Sequence, residues 1–326
     1  MKSRLKAGGA IVLSLALWAA GGSQAQAQAY PAKPVRIMLG ASPGSNTDFF
    51  FRSVSTAMSA DLRQPLIADY RPGAGGMVAA GVTAKSAPDG YVISMHSSGF
   101  VIQPGLMAKM PYNVLQDFTP LGLIVDVPQA LVTHPSLPVK SLKELIALAR
   151  SRPGQLNCGN SGQGTNNHLA GVLFRLLAKV DVLLVPYKST PPMMVDLISG
   201  EIQMTFPSIS GVLAHVRNSR LRMIAQTGRE RSATAKDVPT MQEAGLPGFT
   251  INSGFGFVGP AQLPKPIADR FNAALVKAIQ DPAVRKLLIG NGADPVGSSP
   301  AEHEAFIRSE VARWTNVVKQ AGIKKQ

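Results

Sequence analysis

Two stretches combine glycine, hydroxyl and amide residues where an apolar run gives way to helical spacing. They are Ser42-Pro43-Gly44-Ser45-Asn46-Thr47-Asp48 and Ser161-Gly162-Gln163-Gly164-Thr165-Asn166-Asn167-His168. A helix N-terminus exposes unpaired backbone N–H groups carrying about half a positive charge, and small residues let an anion approach them. The same strand-loop-helix junction also serves nucleotides, acyl chemistry and ordinary turns. Neither stretch contains Lys or Arg. Neutral donors hold a carboxylate without a permanent counter-charge, which suits a site that must also release its cargo. Asp48 has two readings: a first-turn cap favourable to the helix dipole, or an acceptor for a ligand amine or hydroxyl.

Other chemistry finds weaker support. Gly159-Asn160-Ser161-Gly162-Gln163 comes close to a nucleophile elbow, but Gln163 stands where G-x-S-x-G needs its last glycine. Gly254 to Gly259 satisfies G-x-G-x-x-G, yet Pro260, Pro264 and Pro266 follow where a dinucleotide site needs a helix to begin. There is no Walker A sequence, and His303-Glu304 lacks the second histidine of a zinc helix. Cys158 is the single cysteine, which rules out an internal disulfide and a Cys-cluster metal site. No metal, no cofactor and no catalytic residue are expected.

The elements around the two loops follow from periodicity. Val35, Ile37 and Leu39 alternate as in a strand, and Phe51, Val54, Met58 and Leu62 form one helix face after the first loop. Arg71 to Gly76 is a glycine-rich turn, and Pro88-Asp89-Gly90 is a turn before a strand over 91–95. A strand is expected near 127–135, then a helix opened by the Ser141/Glu144 capping box and stopped at Pro153-Gly154. After the second loop, Leu169, Val172, Leu173, Leu176 and Leu177 share a helix face. Further strands are expected near 181–188, 201–206 and 221–228, with a helix ended by Gly200. Ser299, Pro300 and Glu302 open a final helix carrying Ile307, Val311, Trp314 and Val318. Strands alternating with helices indicate parallel α/β sheets, and two anion-type loops so far apart suggest one per lobe. Switch points fall near Asp126 and Asn252.

At the N-terminus, Lys2, Arg4 and Lys6 precede an apolar run over 8–20 that ends in small residues with Ala27 and Ala29. This is the pattern of a cleaved export signal, and the run is too short for a membrane span. Residues 1–29 are therefore expected to be a signal peptide. The formal charge of +14 falls to +11 without its three basic residues. The basic residues are scattered, nucleic-acid motifs are absent and aromatics are 6% of the chain, so no nucleic-acid partner is expected. A general preference for anionic ligands remains.

The segments SPGSNTD, RPGAGG, PDGY, PVKSLKELIALAR, GNSGQGTNNHLAG, VPYK, DLISGEIQM, VPTMQEAGLPGF and EVARWTNVVKQAGI occur in this order over nearly all of the mature length. Together they resemble the Bug family of periplasmic solute-binding receptors, the extracytoplasmic components of tripartite tricarboxylate transporters. The resemblance implies an α/β two-lobe periplasmic binding fold of type II, a Venus flytrap with a mainly parallel sheet in each lobe. Lobe 1 is expected over 30–125 and 253–326, and lobe 2 over 126–252. It also implies a carboxylate gripped between Ser42, Pro43, Gly44, Ser45, Asn46, Thr47 and Asp48 of one lobe and Ser161, Gly162, Gly164, Thr165, Asn166, Asn167 and His168 of the other. Ser97 and Ser98 are expected to line the cleft as well.

This chain departs from the family pattern at Ser45 and Asn46, where glycine is usual, and at Ser189-Thr190-Pro191-Pro192, where a glycine-rich continuation is usual. Pro207 and Ser208 also stand where an acidic residue is common. The expectation is a monomeric periplasmic receptor for a small carboxylate: a dicarboxylate, an amino acid or an aromatic carboxylate. Its partners would be the membrane subunits of a tripartite tricarboxylate transporter. The rivals are an exported α/β hydrolase using Ser161 and a sensory receptor for a non-carboxylate ligand.

Overall fold

The computed structural model describes residues 30–162 and 164–325; the expected signal peptide lies outside them. The first strand, β1 (Val35–Leu39), is the alternating apolar run, and its Val35, Ile37, Met38 and Leu39 are fully buried. The loop after it opens α1 (Asn46–Leu62), which buries Phe51, Val54, Met58 and Leu62 and returns the chain to β2 (Leu66–Tyr70). A tight turn at Ala74–Gly76 leads into α2 (Met77–Ala84), then β3 (Val92–His96) and α3 (Gly99–Leu106). Strand β4 (Phe118–Pro128) runs through Gln129 into β5 (Ala130–Thr133). There follow α4 (Leu142–Ser151), β6 (Asn157–Asn160), α5 (Asn166–Ala178), β7 (Leu183–Pro186), α6 (Thr190–Ser199), β8 (Met204–Thr205), α7 (Ile209–Arg217) and β9 (Arg222–Gln226). The chain closes with β10 (Asn252–Pro260), α8 (Lys265–Gln280), α9 (Pro282–Gly290), β11 (Asp294–Pro295) and α10 (Pro300–Gln320).

These strands form two sheets, ordered β11-β4-β10-β3-β1-β2 and β7-β6-β8-β5-β9. Each is mixed, where a mainly parallel sheet was expected. In the first, β1 pairs in parallel with β2 and β3, but β10 runs against β3 and β4. In the second, β6 is parallel to β7 and β8, while β5 is antiparallel to β8 and β9. The reason is that β4 and β10 are the strands by which the chain leaves and re-enters the first sheet, and they pair with each other along their length. The Gly254–Gly259 motif lies inside β10 and serves that pairing.

The two crossings are fastened at one buried residue. Thr227 Oγ1 accepts from Gln129 N–H at 2.8 Å and donates to Ile251 O at 2.5 Å, while Thr227 N–H donates to Gln129 O. Nearby, Asn252 Nδ2 donates to Asp126, whose carboxyl burial pushes up to about 6. One apolar core lies between the first sheet and α1, α8 and α9. A second runs from Phe100, Tyr112 and Trp314 beneath the first sheet to Phe174, Phe206 and Phe249 of the other lobe. Trp314 is fully enclosed and donates its indole N–H to Glu310, so truncation to Ala would cost about 3–5 kcal/mol.

Candidate functional site

A cleft of about 700 Å³ separates the lobes. One wall is the start of α1. The preceding turn can lie against the Gly73–Gly76 turn because residue 40 is glycine: a Cβ there would sit 2.5 Å from Gly76 Cα. Gly44 has φ +79°, a conformation glycine adopts without strain. Ser45 caps α1 by accepting from Asp48 N–H at 3.3 Å, and Ser45, Asn46 and Thr47 face the cleft.

Asp48 does not face it. One carboxylate oxygen accepts from Gly44 N–H at 2.8 Å, and the other from Arg52 Nε at 2.9 Å and Tyr70 hydroxyl at 2.6 Å. Burial pushes this carboxyl up, but the bonds from Gly44, Tyr70 and Arg52 outweigh it and hold Asp48 below its ordinary value. The residue is 5% exposed and organises the turn from behind. Ser42 accepts Ser45 N–H through its carbonyl, and Ser42, Pro43 and Gly44 are exposed and do not line the cleft.

The opposite wall is the start of α5. Here Asn167, 6% exposed, gathers the loop: its Oδ1 accepts from Ser161 N–H at 3.2 Å and lies 3.1 Å from Ser161 Oγ and 2.6 Å from Thr165 Oγ1. Gly162 N–H donates to Asn160 Oδ1, and Gly164 N–H to His168 Nδ1 at 3.2 Å. An acceptor at Nδ1 is a neutral ring, and burial lowers the His168 pKa. Thr165 is the N-cap but makes no side-chain cap bond. The leading N–H groups of α5 therefore stay open toward the cleft. Gly164, Thr165 and Asn166 line it, whereas Ser161, Gly162, Asn167 and His168 stand behind. The His168 ring borders a separate groove with Arg175, Leu176, Ala321 and Ile323.

Asn166 joins the lobes directly. Its Oδ1 accepts from Ser98 Oγ at 2.9 Å, and its Nδ2 donates to Ser253 Oγ on β10. Ser97 and Ser98 line the cleft at the start of α3. The residues that sequence reasoning missed are Ala74, Gly75 and Met77 at and before the start of α2, Gly99, Gln103, Leu106 and Met107 on and just after α3, and Ser253 and Phe255 on β10. The signal for Gly75 was present in Arg71–Gly76, a third glycine-rich turn following a strand.

Four helices, α1, α2, α3 and α5, thus begin at one cleft, and only α1 carries a side-chain cap. No Lys, Arg, Asp or Glu lines it among the described residues. Four partial positive ends in an uncharged, half-enclosed space favour a small anion.

Beneath the cleft an inner pocket of about 170 Å³ shares Thr47, Gly75, Ser97 and Gln103 with it and is otherwise walled by residues such as Met95, His96, Phe100 and Tyr112. His96 is locked in one tautomer. Gly122 N–H donates to His303 Nδ1 at 3.0 Å, so the His303 proton is on Nε2, which lies 2.8 Å from His96 Nε2. The His96 proton is then on Nδ1 and points at Ser97 O, 3.2 Å away. Burial pushes His96 down to about 4; burial and then the charge of His96 push His303 well below its ordinary value.

Two mixed sheets joined by paired crossing strands, with helix starts from both lobes facing one cleft, define a two-lobe binding protein. Residues 50–323 match the family described as "Tripartite tricarboxylate transporter family receptor", and this chain belongs to that family. Protein BugT of Bordetella pertussis (strain Tohama I) is 35% identical over 300 residues, covering 91% of this chain and 92% of BugT. The structure of Rpa4515 of R. palustris with adipate is similar at a TM-score of 0.76 with 32% identity, covering 91% of this chain and 100% of that one. The periplasmic binding protein BugD is similar at a TM-score of 0.74 with 29% identity, again covering 91% and 100%.

Proposed function

We propose that this protein is a periplasmic receptor that captures a small carboxylate between its lobes and presents it to the membrane subunits of a tripartite tricarboxylate-type transporter. The observation that carries this reading is the convergence of helix N-termini from both lobes on a cleft without charged side chains. Adipate in the related Rpa4515 and the periplasmic setting of BugD support the ligand class and the compartment. The carboxylate is gripped by the leading N–H groups of α1 and α5, with Ser45, Asn46, Thr47, Thr165 and Asn166 around it. Only contacts made to both lobes at once favour the closed state, because a ligand shifts the equilibrium by its differential affinity alone. The protein acts as a monomer and does not turn its ligand over. In support, the Ser161 hydroxyl is within hydrogen-bonding distance of Asn167 Oδ1, and His168 Nδ1 is taken by Gly164 N–H.

The test is thermal unfolding across a panel of carboxylates that includes adipate, with the corresponding alcohols and amines as controls and an ester-hydrolysis assay alongside. A ligand at about 100 times its Kd adds about 2.7 kcal/mol, which for a chain of this size raises Tm by roughly 4 °C. Shifts restricted to carboxylates are expected. Ester turnover lost in Ser161→Ala, with no carboxylate shift, would overturn the reading.

A further inference from the structure

The glycine-rich turn bordering the cleft is held in a conformation that one of its own residues disfavours. Gly73, Ala74, Gly75 and Gly76 have φ of +136°, +46°, +62° and +95°, positive values in unbroken succession. Glycine takes such angles freely, but Ala74 carries a Cβ that crowds the backbone there. Strained residues persist only where the surroundings over-determine them. Two internal bonds, Gly76 N–H to Gly73 O and Met77 N–H to Ala74 O, close the turn on itself. The outside constraint is Gln103 on α3, whose Nε2 donates to Ala74 O at 2.8 Å and to Gly75 O at 3.2 Å. The packing around this clamp is tight: a Cβ on Gly99 would lie 2.9 Å from Gly75 O, and one on Gly75 would run into Gln103 Nε2.

The clamp also fixes the direction of a donor. A trans peptide sets its N–H opposite its carbonyl, so with Ala74 O turned to Gln103 the Gly75 N–H points the other way. That N–H has no partner among the described residues. Gly75 is exposed and lines both the cleft and the inner pocket. We propose that Gln103 is a positioning residue for the ligand site, holding the 73–76 turn so that the Gly75 N–H donates to a ligand carboxylate. This rests on the carboxylate reading above and deepens it, adding a further neutral donor to those at the starts of α1 and α5. Gln103 acts through the turn rather than on the ligand. A donor set in place before the ligand arrives spares the cost of ordering it on binding, so loss of the clamp weakens binding more than it weakens the fold.

The experiment pairs calorimetry with amide NMR on the whole protein. Adipate, malate, citrate, glutamate and benzoate are titrated, and the tightest binder is used throughout. In the wild type the Gly75 amide proton is expected to move downfield at saturation, as an N–H does on donating to a carboxylate. Gln103→Met keeps the length of the side chain but cannot donate. It is expected to bind at least ~10-fold more weakly, the low end for a hydrogen bond to a charged group, and to lose the Gly75 shift. Ser299→Ala strips the cap of α10 and lowers Tm without touching the cleft, and should bind as the wild type does. A Gly75 amide unmoved in the ligated wild type overturns the inference without recourse to any variant. A weakening in Gln103→Met below ~10-fold, one that leaves the Gly75 shift intact, or one matched by Ser299→Ala overturns it too. Each of these results leaves the carboxylate reading standing, because the wild type still binds. No saturable binding of any acid in the panel would remove that reading and this inference with it.

Discussion

Acidification tests the buried imidazole pair behind the cleft wall. His96 and His303 form a directed chain from Gly122 N–H through both rings to Ser97 O, and protonating either ring breaks a bond and leaves a charge without water. His96 ordinarily titrates near 6.5 and here near 4, so the folded state binds the proton less readily than the unfolded chain. The native pair is fully stabilising above pH 6.5, and that stability is lost as pH falls toward 4. Across that window His96 alone accounts for about 3 kcal/mol, since each pH unit separating the folded and unfolded titrations is worth about 1.4 kcal/mol, and His303 adds to it in the same direction. Asp126 works the other way: its raised value of about 6 means stability gained as pH falls through 6. The two effects oppose each other in the wild type, so the informative quantity is a difference. Urea unfolding of the wild type and of His96→Gln/His303→Gln, from pH 7.5 to 4, should show the wild type losing at least about 3 kcal/mol relative to the variant. Parallel curves, within about 0.5 kcal/mol over the whole range, would refute the assignment of two neutral, directed rings.

Two further perturbations address the cleft. Asn166→Ala removes the contacts to Ser98 and Ser253, and at about 0.5–1.5 kcal/mol for each of the two hydrogen bonds it should weaken carboxylate binding by roughly 5- to 150-fold. It should also enlarge the unligated radius of gyration in small-angle scattering; an unchanged Kd would show that Asn166 does not report on closure. Asp48→Asn discards a charge that holds Gly44, Arg52 and Tyr70 together and should cost about 2–3 kcal/mol of stability. Because its carboxylate points away from the cleft, the variant should lose affinity equally for an amino acid and for its deaminated analogue, and a selective loss for the amino acid would place Asp48 on the ligand.

Local signals were the ones the sequence carried well. Ser141 and Ser299 cap the helices that their neighbours announce, since a cap is decided within four residues. Strands β1 and β6 and the helices after them were legible for the same reason. What the sequence did not disclose was how distant segments meet. Strand β4 carries no clean alternation because both its faces are covered, and its antiparallel partner lies more than a hundred residues away. Within each loop the residue types indicated an anion site, but facing did not follow from them. Successive helical residues turn by about 100°, so Asn166 reaches the cleft while Asn167 holds the loop from inside and His168 borders another groove. Gln103 sits before Pro104 in a short helix, and nothing local marks it as the clamp on the Ala74–Gly75 carbonyls. The His96–His303 contact spans 207 positions and is likewise a product of tertiary packing.

The account depends on uncharged amides from two lobes holding one acidic group. A high-resolution structure with the carboxylate that gives the largest thermal shift tests this most directly. The account predicts carboxylate oxygens at about 2.7–3.2 Å from backbone N–H groups, or their bridging waters, at the starts of both α1 and α5, with no Lys or Arg in contact. A carboxylate bound outside this cleft, held by one lobe alone, or paired with a basic side chain would contradict it.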